Sequence, residues 1–290
     1  MKLAIAALVA ANLFWAGNFV FSPAAVAEVS AFGLSFWRWL FGLPLIFALA
    51  WFIDRPRWGE VLRRWPTHLG QAFTGLVGFS VFTYLAVEQI SPVNASLVQA
   101  INPAMILLLS SWMLRSRPLR QELIGMAIST VGVVIVLLGP GDIVVNPGSL
   151  GLGVLYMVLA VICWSIYTVR GRAVVDPPLT SSTMQVAFAT LITLPLAAIS
   201  GGLSLDISPT ALASILYIAI FASVGALVAW NFGVARVGPN AAGVYLNLLP
   251  VFTALLAVLF GAPLTLAQIF GGLLVLGGMV LVTRASRERM

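Results

Sequence analysis

Long apolar runs, cut by brief polar clusters, set the rhythm of this chain. Ten runs can be read, at about 3–22, 32–53, 69–87, 93–114, 122–139, 150–169, 183–200, 211–235, 241–260 and 266–283. Most are close to the roughly 20 apolar residues that a helix needs to cross a bilayer. The connections are short and leave no room for an inserted soluble domain. The pattern therefore predicts an all-α integral membrane protein with ten transmembrane helices.

The positive charges order these spans. Lys2 precedes the first; Arg55, Arg57, Arg63 and Arg64 follow the second; Arg115, Arg117 and Arg120 follow the fourth. Arg170 and Arg172 follow the sixth, Arg236 the eighth, and Arg284, Arg287 and Arg289 the tenth. All fall on one side of the membrane, whereas the opposite loops carry only Glu28, Glu88, Asp142 and Asp206. Positive charge marks the cytoplasmic side, so both termini are expected there. Arg38 alone departs from the pattern, about six residues inside the second span.

Composition agrees with the span count. Charged residues make up 8% of the 290 residues and hydrophobic ones 61%, where a soluble protein carries about 25% charged. Mean hydropathy is +1.06 and the sequence pI about 10.2. The basic residues are scattered among short loops, which points to lipid headgroups as their partners and away from nucleic acid. Cys163 is the only cysteine and His68 the only histidine, so no disulfide framework or metal site is expected. The opening "MKLAIAALVAA", with Ala25-Val26-Ala27 beyond it, has the look of a signal peptide. Asn12, Trp15 and Asn18 within it, and a later counterpart, argue instead for a retained span.

That counterpart belongs to a repeat. Trp15 falls on Trp164 at a shift of 149 residues, and Pro44 falls on Pro195 at 151. Pro92 and Pro103 fall on Pro239 and Pro250 at 147, and Gly125 and Gly132 fall on Gly271 and Gly278 at 146. The chain thus divides into residues 1–140 and 150–284, five spans each. An odd number of spans turns the second half upside down, a recurring plan of secondary transporters. It explains why Glu88 precedes one copy of the proline phrase and Arg236 the other.

Four phrases carry a family resemblance: "WAGNFVF" (15–21), "RWLFGLPLI" (38–46), "SPVNASLVQAINPAMILLL" and "PLTLAQIFGGLLVLGGMVLV". Together with the repeat they resemble the EamA-type members of the drug/metabolite transporter superfamily, over essentially the whole chain. Within it the general look and aromatic content are most similar to the YddG-type exporters of aromatic and other amino acids. The resemblance implies ten helices in an inverted 5+5 arrangement, a substrate cavity between the halves, and export of amino acids or other small metabolites. The expected location is a bacterial inner membrane. One departure is plain: where many relatives have a Glu before the fifth and tenth spans, this chain has Arg117 and Ala262.

Polar and aromatic side chains deep in the spans are the candidates for the cavity, because in hydrocarbon they must face protein or water. They are Trp15 and Asn18, Tyr84, Gln99 and Asn102, Trp164 and Tyr167, Trp230 and Asn231, and Tyr245 and Asn247. Each amide has the alternative of joining helices, worth about 0.6–2 kcal/mol, and each aromatic that of packing. Arg38 can meet a substrate carboxylate or hold helix ends. A proline inside a helix frees the carbonyl four residues back, so Pro44, Pro103, Pro195 and Pro250 mark expected kinks. The glycine pairs provide small faces for helix contact, within a monomer or a weak homodimer. No catalytic residue, metal or cofactor is expected, since no paired acids, H-E-x-x-H or G-x-S-x-G occur. No span carries Asp or Glu near its middle, which favours facilitated efflux of a net-neutral solute. Another metabolite or drug class, or a passive channel, remains the competing reading.

Overall fold

The computed structural model describes residues 1–90, 95, 98–99, 101–113, 115, 118–138, 150–259 and 266–288. Pro92, Arg117, Asp142, Ala262 and Arg289, used above, lie outside the described residues. All regular structure among the described residues is helical. Its α-helices are α1 (Lys2–Val26), α2 (Ala31–Leu49), α3 (Trp58–Arg63), α4 (Trp65–Gln71), α5 (Phe79–Val87), α6 (Asn102–Met113) and α7 (Arg120–Leu138). They continue with α8 (Leu150–Arg170), α9 (Pro178–Ile199), α10 (Pro209–Tyr217), α11 (Ala226–Val237), α12 (Pro239–Val244), α13 (Leu248–Leu259) and α14 (Leu266–Glu288). Among the described residues seven continuous stretches are long and apolar enough to cross a membrane, Lys2–Val26, Trp65–Val87 and Pro209–Val237 among them.

Several boundaries move from their sequence-based positions for identifiable reasons. The run expected from residue 183 starts at Pro178, because the Asp54 carboxylate accepts from the N–H and the hydroxyl of Thr180, both at 2.8 Å. The first N–H groups of a helix have no partner within it, and a side-chain oxygen commonly satisfies one of them in this way. The polar residues that follow do not break α9. Thr183, Thr190 and Thr193 donate their hydroxyls to the carbonyls of Leu179, Val186 and Ala189, four residues back. Ser30 and Ser208 cap α2 and α10 by accepting from Gly33 N and Ala211 N.

Pro44 and Pro195 lie inside the continuous helices α2 and α9. Pro250 instead stands in the first turn of α13, directly after the 3-10 turn Tyr245–Asn247. Pro103 stands likewise in the first turn of α6, where Ile101 N reaches Val98 O. Proline is tolerated in a first turn because its missing N–H costs nothing there. A third interruption has no residue signature in the sequence. The segments Ala72–Gly78, between α4 and α5, and Ile218–Gly225, between α10 and α11, are wound as π-helix. Their offset of 146 residues is the one that relates the glycines of α7 and α14.

The helices form two clusters with a pair at the flank. α1 packs against α10, α11 and α13, and α8 packs against α5, α6 and the π segment 72–78. α2 and α9 pack on one another and close the sides. α7 and α14 run along each other at close range, since a Cβ on Gly132 would lie 2.6 Å from Gly271 O and one on Gly125 2.7 Å from Gly278 O. The small faces expected from sequence are therefore filled by each other. Close backbone approach of this kind supplies van der Waals contact where lipid gives no hydrophobic driving force.

Candidate functional site

Three tryptophans meet at the centre. Trp15 of α1 stands edge-on to Trp164 of α8, with ring centroids 5.0 Å apart at 88°, and Trp230 of α11 packs on both at 5.5 and 5.8 Å. Such aromatic pairs add about 0.5–1.5 kcal/mol beyond their buried area. Trp15 Nε1 donates to Ala222 O in the second π segment at 3.0 Å. The indole N–H groups of Trp164 and Trp230 are buried and have no partner among the described residues.

On one side of this cluster lies a cavity of about 390 Å³. Its inner wall is Tyr167, Gln185, Trp230 and Asn231, and its lip is Gly171, Val174, Asp176 and Pro178. The lip belongs to the loop after α8, so the cavity reaches the arginine-rich face of the bundle. Asn231 Nδ2 donates to Tyr167 Oη at 2.7 Å and to Ser182 Oγ at 3.2 Å, and Tyr167 Oη donates to Gln185 Oε1 at 3.2 Å. This bridge joins α8, α9 and α11 through neutral groups only.

On the other side of the tryptophans the described residues leave little space. Trp15, Asn18, Arg38, Gln99, Trp164 and their neighbours line a pocket of about 10 Å³, space for about one water. Beyond it, Tyr84 Oη donates to Asn18 Oδ1 at 3.0 Å and accepts from Arg38 Nη1 at 2.6 Å. Arg38 Nε donates to Ser223 Oγ at 2.7 Å, and its guanidinium lies 4.5 Å from the Trp39 ring centroid. This second bridge joins α1, α2, α5 and the π segment 218–225. It stands toward the arginine-free face, where further contacts tie the ends of α1 and α2 to the segment between α9 and α10. Trp37 Nε1 donates to Gly202 O at 3.0 Å, and a Cβ on Gly33 would lie 2.6 Å from that same oxygen. Glu28 accepts from the Ser208 N–H and hydroxyl, both at 2.6 Å, and these bonds hold its carboxyl below the usual range.

The sequence-derived candidates thus fall into three groups. Tyr167, Trp230 and Asn231 line the open cavity. Trp15, Asn18, Gln99 and Trp164, with Arg38, line the closed pocket. Tyr84, Asn102, Tyr245 and Asn247 line neither. Tyr84 is part of the closing bridge, Asn102 Oδ1 accepts from Ser165 at 2.9 Å, and Asn247 Nδ2 donates to Ser129 at 2.8 Å. Asn102 and Asn247 therefore join helices. Tyr245 is buried in the 3-10 turn.

These features fit a known family. Its sequence model, described as the EamA-like transporter family, matches residues 2–138 and again residues 151–284. The chain belongs to the EamA-like transporter family. Among similar proteins are an uncharacterized transporter of Archaeoglobus fulgidus, 28% identical over 285 residues that cover 95% of this chain and 96% of that one. The uncharacterized transporter YyaM of Bacillus subtilis is 24% identical over 274 residues, covering 93% and 90%. A solved structure titled only as a crystal structure of a protein has the same fold, with a TM-score of 0.78, 23% identity and 99% of both chains covered. This EamA-like chain is accordingly a multi-pass membrane transporter and not an enzyme.

The lip of the EamA-like cavity holds residues that the sequence did not single out. Arg64 donates through Nε to Asp176 Oδ2 at 3.0 Å, and its Nη2 pairs with Oδ1. His68 Nε2 lies 2.9 Å from Asp176 Oδ2. Burial raises the Asp176 carboxyl, but the bonds from Arg64 and His68 outweigh it and hold the group below the usual carboxylate range. Arg64 is raised in turn, chiefly by its hydrogen bond to Asp176. Gln71, Ser181 and Gln185 complete the polar wall. Only the density of hydroxyl and amide groups in "TSSTMQ" (180–185) offered a signal for them.

Proposed function

We propose that this transporter exports small net-neutral metabolites, amino acids and aromatic ones among them, by alternating access. In this reading the chain has ten spans as two inverted five-helix halves, with the arginine-rich face and both termini in the cytoplasm. The observation that carries it is the asymmetry about the tryptophans. A cavity of about 390 Å³ reaches the arginine-rich face, while the pocket directly behind the tryptophans holds only about 10 Å³, and a separate recess of about 520 Å³ at the arginine-free rim, beside Pro23, Ala27 and Glu88, shares no lining residue with either. That is the arrangement of a carrier loaded from the cytoplasm and shut toward the outside. The volume is in the range of small-molecule sites, about 300–1,000 Å³.

The lining supports a neutral or zwitterionic solute. Indole and phenol faces offer stacking, and Gln71, Ser181, Gln185 and Asn231 offer neutral hydrogen bonds. A phosphorylated substrate would require several buried cations. Among the described residues Arg38 is the only buried Arg or Lys. Among the described spans, no carboxylate lies near mid-membrane, where proton relays place them, which supports facilitated efflux. Counterflow in proteoliposomes with a panel of amino acids is the test. Saturable exchange with trans-stimulation is expected. Flux without trans-stimulation would mean a channel, and flux confined to some other metabolite class would remove the amino-acid reading. Accumulation against a gradient driven only by a pH difference would remove facilitated efflux.

A further inference from the structure

We infer that the closed pocket beside the tryptophans is the carboxylate-recognition site of the transport cycle, with Arg38 as the residue that binds the substrate carboxylate. The inference rests on the export reading above and adds a chemical requirement to it: the solute must carry a carboxylate.

Arg38 is 4% exposed, and the salt bridges of the described residues do not include it. Its protein partners are all neutral: Ser223, Tyr84 and, at 3.5 Å, the Ala222 carbonyl. A guanidinium has five N–H donors, so these contacts leave two of them without partners among the described residues. A buried cation without a counter-charge is costly in a membrane interior and marks a functional site. Planar, forked donors also match a carboxylate better than any other common anion except phosphate.

Two further groups lining the same pocket have capacity to spare, and they are complementary in sign. Among the described residues Trp164 Nε1 is a buried donor without a partner, and Gln99 Oε1 a buried acceptor without one. Both side chains are 4% exposed. A carboxylate can accept from Arg38 and the Trp164 indole while a neighbouring ammonium or amide N–H donates to Gln99. An α-amino acid presents these two charges on adjacent carbons. The pocket now holds about one water's volume, so binding there requires the tryptophans to part. The same motion would admit solute from the cavity on the Trp230 side.

The experiment compares three probes in proteoliposomes of the full chain: L-phenylalanine, L-phenylalaninamide and phenethylamine. Counterflow of the acid at least tenfold above that of the amide and the amine is expected. Equal flux of acid and amide would overturn the assignment while leaving amino-acid transport intact. Flux of a non-amino carboxylate, such as 3-phenyllactate, without flux of any amino acid would do the reverse. It would uphold Arg38 and remove the amino-acid reading. This comparison uses the unmodified protein, so it stands whether or not variants fold. Arg38→Lys then separates recognition from support. The acid-to-amide ratio should fall at least fivefold, and a loss of both fluxes in equal proportion would mean that Arg38 only holds the helices.

Discussion

The two hydrogen-bonded bridges use the same pair of residue types with their places exchanged. Asn18 of α1 meets Tyr84 of α5 on the closed side, and Tyr167 of α8 meets Asn231 of α11 beside the open cavity. In the sequence repeat Asn18 corresponds to Tyr167 at a shift of 149, and Tyr84 to Asn231 at 147. The difference lies in what surrounds them. Arg38 and Ser223 reinforce the first, but the residues at the equivalent offsets, Ala189 and Val77, leave the second with neutral partners. A charge-assisted bond in a dry site contributes about twice what a neutral one does. One half of the repeat therefore has a lock and the other a latch. Unequal closures of this kind bias a carrier toward one of its two states without freezing it there.

The comparison breaks most readily at the tyrosines. Tyr84→Phe leaves Arg38 with one acceptor fewer and Asn18 Oδ1 without a donor, both in a dry interior. Unmet buried groups of this sort cost about 1–3 kcal/mol each, so a loss of about 3 kcal/mol is expected. Tyr167→Phe faces a cavity in which water can take over the lost bonds, and should cost about 1 kcal/mol. Unfolding in a mild detergent would compare the two. A thiol reporter at Ser22, in a background with Cys163 replaced by Ser, would show whether Tyr84→Phe also opens the arginine-free face. Equal destabilisation by the two variants would deny that charge distinguishes the bridges.

Asp176→Asn acts on the open side, where Arg64 and His68 tie α4 and the residue before it to the loop after α8. The Asp176 side chain is 3% exposed but that of Arg64 is 41%, so solvent screens half of the pair and about 2 kcal/mol is a reasonable ceiling. The pH dependence follows from the lowered carboxyl. Its folded pKa lies below the unfolded value of about 3.9, so the contribution is complete above that value. It drains away as pH falls through the folded pKa. Melting temperature in detergent should drop more for the wild type than for Asp176→Asn on going from pH 6 to pH 3. An equal drop would show that Asp176 has no part in it.

How much of this was legible in the sequence depends on contrast. Asn18, Tyr84 and Arg38 stood out because each interrupts an apolar run, and the repeat paired Trp15 with Trp164. Which amide joins helices and which lines a pocket was not legible. Asn102 and Gln99 are three residues apart in one run, and only packing gives the first to Ser165 and leaves the second open. Asp176 at the lip and Ser181 and Gln185 on the wall were hidden for the opposite reason, since polar residues near the start of a helix need no explanation. The π segments were hidden too: a widened turn depends on which carbonyl finds a new donor. Here Ala222 O finds Trp15, 207 residues away.

The tryptophan pair sharpens the comparison further. Trp15→Phe and Trp164→Phe remove similar areas of ring from the same cluster. Trp15 also loses its bond to Ala222 O, whereas Trp164 Nε1 has none to lose. Trp15→Phe should therefore be the less stable by about 1 kcal/mol. Chemical unfolding of the two single variants measures that difference, and a ranking in the opposite order would mean that packing, not hydrogen bonding, sets it.

The smallest effect is expected at the outer rim. Glu28→Gln weakens the contacts to Ser208, which are exposed to water or headgroups. Hydrogen bonding lowers the Glu28 carboxyl, so whatever it contributes is present above the ordinary glutamate range and disappears as pH falls through the lowered value. Because the group is fully exposed, water replaces each bond as it breaks, and reporter labelling at Ser22 should not change at pH 7. The contrast with Tyr84→Phe is the point of the measurement. If Glu28→Gln opened the arginine-free face as much as the tyrosine variant does, closure would belong to the rim. Arg38 would then have no part in closure, and the acid-to-amide ratio of the Arg38→Lys protein would decide between substrate binding and helix support.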